Sequence, residues 1–160
     1  MATRFVFTPE SAHFPASNFP QYQVLTTPRR PVLSFDQSTN ETCYWTGVVP
    51  QGWTGTITAY IYYICAVNSG DVDIDVAVES VTDADTVDLD AGTSFDTVNS
   101  TDNTTVPGTA GYLDVISVTL TNNDSSAAGD YIRFSLARDA ASDTAAGDMH
   151  VLAMEIRDGA

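Results

Sequence analysis

The chain has no lysine, only two histidines and only two cysteines in 160 residues. With lysine absent, six arginines stand against 21 acidic residues, and the formal charge is -15. Nucleic acid is excluded as a partner, because phosphate binding needs clustered Lys and Arg. An anionic membrane surface is disfavoured for the same reason. A Ser–Lys nucleophile is impossible. His13 and His150 lie far apart in the sequence, and H-E-x-x-H, G-x-S-x-G and G-x-x-x-x-G-K-[ST] motifs are all missing. Two carboxylates alone can build a glycosidase site, but among 21 acids no pair is singled out. The sequence therefore nominates no catalytic residue, no cofactor and no metal site, and predicts a protein that is not an enzyme. No apolar run approaches the roughly 18 residues of a membrane span. The opening "MATRFVFTPESAHFP" lacks the apolar core of a signal peptide, so synthesis in a cytoplasm is expected. Cys43 and Cys65 are then expected as buried free thiols, since cytosolic proteins rarely carry bridges.

What is present is an extended start followed by a two-residue period. Residues 1–30 hold Pro9, Pro15, Pro20 and Pro28, which forbid a helix or a central strand. They also hold Phe5, Phe7, Phe14, Phe19 and Tyr22, too many aromatics for a free tail. Arg4, Arg29 and Arg30 against Glu10 alone leave this stretch at +2 on an otherwise acidic chain. It reads as an extended N-terminal arm, lying either along another surface or back over its own domain. Residues 31–160 form the second unit. Alternation predicts strands at 32–36, 43–49, 56–67, 71–82, 94–100, 112–121, 130–139 and 149–158, with Gly, Asn, Asp and Pro clusters between them. An all-β, eight-stranded antiparallel jelly-roll sandwich with an extended N-terminal arm follows, its first strand beside its last. An immunoglobulin-type Greek key is the runner-up.

Two stretches invite a sharper reading. In "DVDIDVAVES" (71–80), aspartates alternate with valine and isoleucine. Same-face residues are spaced by two rises of about 3.3 Å, so three carboxylates in a row splay apart rather than converge on one ion. The expectation is a one-sided strand with Val72, Ile74, Val76 and Val78 inward and Asp71, Asp73 and Asp75 in solvent. "TDADTVDLDAG" (82–92) lacks the glycine and glutamate positions of an EF-hand and reads as a solvated acidic loop in preference to a calcium site. The strand at 56–67 is apolar or aromatic on both faces. Tyr60, Tyr62 and Ile64 on its second face therefore need cover from outside the core, from the arm, a loop or a neighbouring subunit.

The stretches "RPVLSFDQSTNETCYWTGVVPQGWTGTITAYIYY" and "GDYIRFSLARDAASDTAAGDMHVLAMEIRD" resemble, in pattern and punctuation, small β-sandwich proteins of tailed-bacteriophage virions, most of all capsid decoration (cement) proteins. The resemblance spans residues 31–158 and includes no ligand motif. It implies a structural virion protein without catalysis, a homotrimer that binds the major capsid protein on the outer capsid surface and stabilises the head. Arg4, Phe5, Phe7, Phe14, Phe19, Arg29 and Arg30 would then form the capsid-binding arm, and Tyr60, Tyr62 and Ile64 the subunit interface. The alternative is a receptor- or carbohydrate-binding module of a tail, head fibre or baseplate, with Trp53 of "PQGWTG" and Tyr112 as a sugar-stacking platform. A lone loop tryptophan also serves to plug the end of a sandwich.

Overall fold

Alternating apolar residues become ten strands in the computed structural model, which describes residues 1–159. They are β1 (Ala2–Phe7), β2 (Gln21–Val24), β3 (Pro31–Phe35), β4 (Glu41–Val48), β5 (Thr58–Cys65), β6 (Asp71–Val81), β7 (Asn99–Thr105), β8 (Asp114–Thr119), β9 (Tyr131–Arg138) and β10 (Met149–Asp158). A three-residue 3-10 turn at Pro9–Ser11 is the one helical feature among the described residues. Two antiparallel sheets pack face to face. One runs β2-β3-β10-β5-β8, with β1 also paired to β10; the other runs β4-β9-β6-β7. This is the expected jelly-roll sandwich, and β3 lies beside β10 through Met149↔Phe35 and Val151↔Leu33.

The count rises from eight to ten because residues 1–30 contribute two strands. β1 pairs with the C-terminal half of β10, from Ala2↔Asp158 to Phe7↔Met154. The chain then crosses to the other sheet, where His13 exchanges backbone hydrogen bonds with Tyr44 (2.8 and 2.9 Å) and covers the free edge of β4. It returns as β2 along the edge of β3. The prolines fall between these short runs, where no ladder bond is asked of them. The strand expected at 94–100 instead starts at Asn99. Phe95 leaves the ladder to stack on Tyr44, 5.7 Å between ring centroids, on the outer face of the four-stranded sheet.

The core joins both sheets and the N-terminal segment. Phe7 stacks on Trp45 at 5.8 Å, and the Trp45 indole N–H donates to the Thr8 carbonyl at 3.1 Å. Phe5 sits so close to Gly47 that an added Cβ would lie 2.7 Å from its ring. Val72, Ile74, Val76 and Val78 face inward as expected. The aspartates between them are less exposed than predicted, because β7 lies alongside. Asp73 is only 7% exposed and accepts the Asn103 N–H, Asp71 accepts the Thr105 hydroxyl at 2.7 Å, and Asp75 accepts the Ser100 hydroxyl. Cys43 and Cys65 are buried and unbridged. Arg138 is fully buried, paired with Asp143 at 2.6 Å and donating to the carbonyls of Ala145 and Gly147, which pins the 139–148 loop.

Candidate functional site

Strand alternation places Tyr60, Tyr62 and Ile64 of β5 on the outer face of the six-stranded sheet, since Ala59, Ile61, Tyr63 and Cys65 are buried inward. Register sets β10 against them, with Tyr60 opposite Glu155 and Tyr62 opposite Ala153. Val115 and Ser117 of β8 lie on the far side. These side chains form a connected array. The Arg157 guanidinium stands over the Tyr60 ring, 4.1 Å from its centroid. It donates to Glu155 at 2.6 Å and to the Tyr62 hydroxyl at 3.1 Å. Tyr62 in turn donates to Glu155 at 2.9 Å, and the Thr3 hydroxyl donates to the other carboxylate oxygen.

The electrostatics follow from these bonds. Arg157, with help from Thr3 and Tyr62, holds the Glu155 carboxyl down at about 2 against an ordinary 4.5. The Tyr62 hydroxyl is pushed up, chiefly by its hydrogen bond to Glu155. At neutral pH the face thus presents two phenol rings, a locked carboxylate and a locked guanidinium. Charge-assisted bonds of this kind fix side-chain geometry before any ligand arrives.

Beyond Tyr62 the same face runs into a groove of about 460 Å³. Ile64 and Leu152 form its floor, the β2–β3 turn (Leu25, Pro28, Arg30) one wall, and Gly111 and Leu113 the other. Leu152 is set there by a bulge between Val151 and Ala153. From Tyr60 to Ile64 the strand advances about 13 Å, so aromatic face and groove make one continuous surface.

The residues singled out from sequence are scattered by the fold. Tyr60, Tyr62 and Ile64 share the open face. Arg4 is tied to Asp158 at 2.6 Å and to the Gly52 carbonyl. Phe5 packs against Phe7, Trp53 and Phe134. Phe14 and Phe19 touch one another at 5.5 Å and are each 40% exposed. Arg29 and Arg30 are exposed on the β2–β3 turn. Trp53 is wedged against Phe5 at the end of the core, its indole N–H donating to Ser126 at 3.2 Å, so it joins no platform with Tyr112, which is exposed on the 106–113 loop. The acidic loop at 82–92 is solvent-exposed, and among the described residues no set of three His, Cys, Asp or Glu is placed to hold a metal. Glu155 and Arg157 escaped the sequence reading. Their alternation with Met154 and Ile156 marks them as outward-facing, but their partners come only with register.

No protein-family model and no curated protein sequence matches the chain. Solved structures do. A family 35 carbohydrate-binding module from an environmental isolate superposes with a TM-score of 0.59 at 11% identity, over 97% of this chain and 93% of that one. The CBM35 of Cellvibrio japonicus Abf62 gives 0.52 at 9% identity, over 98% and 94%. The C-terminal CBM6 of LamC, a marine laminarinase from Zobellia galactanivorans, gives 0.50 at 14% identity, over 96% and 98%. Identities this low show a shared fold alone. The match nonetheless overturns the resemblance to tailed-bacteriophage virion proteins and, with it, the capsid decoration reading. The fold is shared across nearly the whole chain with carbohydrate-binding modules. The packing gives a physical reason, since Phe7 is buried in the domain's own core, Phe5 packs against that core, and Arg4 is spent on Asp158.

Proposed function

We propose that this domain is a carbohydrate-binding module with no catalysis of its own, and that its ligand lies on the open face of the six-stranded sheet. The observation that carries the reading is the array of Tyr60, Tyr62, Glu155 and Arg157 on an uncovered sheet face of this fold. Saccharides offer flat C–H faces and rims of hydroxyl groups. A tyrosine ring supplies an apolar body with a polar tip, and ionised partners make the stronger hydrogen bonds to hydroxyls. Here both are held in place in advance, which lowers the ordering cost of binding.

The same array supplies no general acid. A general acid must carry a proton near its working pH, and Arg157 keeps Glu155 ionised far below neutrality. The matched structures are themselves named as binding modules, which supports the non-catalytic reading.

A glycan array with the intact protein, followed by calorimetry on the best ligand, tests the proposal. Tyr60→Ala and Tyr62→Ala should each weaken binding by about tenfold or more, as expected of a central aromatic anchor worth upwards of 1 kcal/mol. Full affinity in the Tyr60→Ala/Tyr62→Ala double variant, with the fold intact by circular dichroism, would move the site elsewhere. An array with no bound glycan would overturn the function.

A further inference from the structure

The sheet edges are unequally protected. β4 is covered by the segment around His13, while β1 carries Arg4, β7 carries Asp102 and β8 carries Asp114. β2 is different. Its sequence, Gln21-Tyr22-Gln23-Val24, has neither charge nor proline, and it pairs with β3 on one side only. Tyr22 and Val24 are 47% and 48% exposed. Uncovered edges usually carry a charge or a proline, because their free N–H and C=O groups template pairing with another chain.

The two ends of β2 carry opposite charge. Beyond Val24 the turn presents Arg29 and Arg30, both exposed and without a side-chain partner among the described residues. At the Gln21 end, Asp36, Glu41 and Asp148 line a polar pocket of about 180 Å³ with Gln21, Gln23 and Ser34. Among the described residues none of these three acids makes a salt bridge, although buried Arg138 lies opposite Glu41 in the β4–β9 ladder. The Glu41 carboxyl is pushed up by its burial and by the charges of Asp36 and Asp148.

We propose that β2 is a self-association edge, at which a second copy of this chain adds its own β2 antiparallel across a two-fold axis. An antiparallel pair sets the Val24 end of each strand against the Gln21 end of the other. Arg29 and Arg30 of one copy then approach the acidic end of its partner, and the two-fold axis repeats the contact. The apolar Tyr22 and Val24 meet at the centre. The assembly continues the six-stranded sheet from one copy into the next.

Sedimentation velocity on the full chain over a rising concentration series tests this, with a weight-average mass climbing from 17.1 kDa toward twice that value. Tyr22→Lys/Val24→Lys should remain monomeric with unchanged circular dichroism and melting temperature, because both side chains are exposed. Arg29→Glu/Arg30→Glu and Asp148→Arg should each weaken self-association, and mixing these two variants should restore a heterodimer through swapped charges. Hydrogen exchange at residues 21–24 should slow as concentration rises. A monomer at every concentration, a mass beyond two copies, or a dimer that survives the paired lysine substitution would each overturn the proposal. None of these readings depends on sugar binding.

Discussion

Glu155 shows how a single residue is set by its neighbours. In isolation it is one of 21 acids; in the sheet it accepts bonds from Arg157, Tyr62 and Thr3. Its folded pKa is depressed to about 2. The stability it contributes is therefore complete above its ordinary value of 4.5 and is lost as pH falls toward 2. The carboxyl carbon of Glu155, followed by NMR, should stay in its ionised position from neutral pH down to about 3. In Arg157→Ala its midpoint should rise toward the ordinary value, and glycan affinity should acquire a pH dependence in that range. At this scale the sequence was legible for Tyr60, Tyr62 and Ile64, because a strand with two apolar faces shows itself in one segment. It was silent on Arg157, whose role depends on the ring it covers.

Among the elements, β1 is the most informative. Its period-two pattern is short and sits among prolines, so the sequence reads it as an arm. Its place in the sheet comes from Phe5 and Phe7, which fill space left by Gly47 and lie against Phe134 and Trp45. Phe7→Ala should cost about 3–5 kcal/mol in urea unfolding. Trp53→Ala should also destabilise, by less because Trp53 is partly exposed, and should leave glycan affinity unchanged, because its ring packs at the end of the core. Loss of glycan binding in that variant would mean that the platform lies on the 50–55 turn after all. The misplaced fifth strand has a similar cause. Alternation across 94–100 is real, but Phe95 spends it on Tyr44 and Arg133 outside the sandwich, with the guanidinium 5.0 Å from the Phe95 ring centroid.

For the whole molecule, charge and shape act together. The net charge of -15 opposes crowding of copies at neutral pH, except at the β2 edge where arginine of one copy meets acid of the other. Near the pI of about 4.1 that repulsion vanishes, so turbidity of a concentrated solution should peak close to that pH. Neither the shared sandwich nor its charge identifies a ligand, since one fold hosts many functions and the site carries the specificity.

The sequence by itself determined the class of fold, the strands from β3 onward apart from β7, and the adjacency of the first and last of those expected. Alternation, turn residues and strand length are local, and a two-sheet antiparallel sandwich follows from them. It also determined a chain without lysine and with only two histidines. Only the tertiary structure decided what the N-terminal thirty residues do, which acids are locked, and which side chains share the open face. Those facts rest on register between strands nearly a hundred residues apart, such as Tyr60 against Glu155. A one-residue slip in that register would turn every partner on the face to the other side of the sheet.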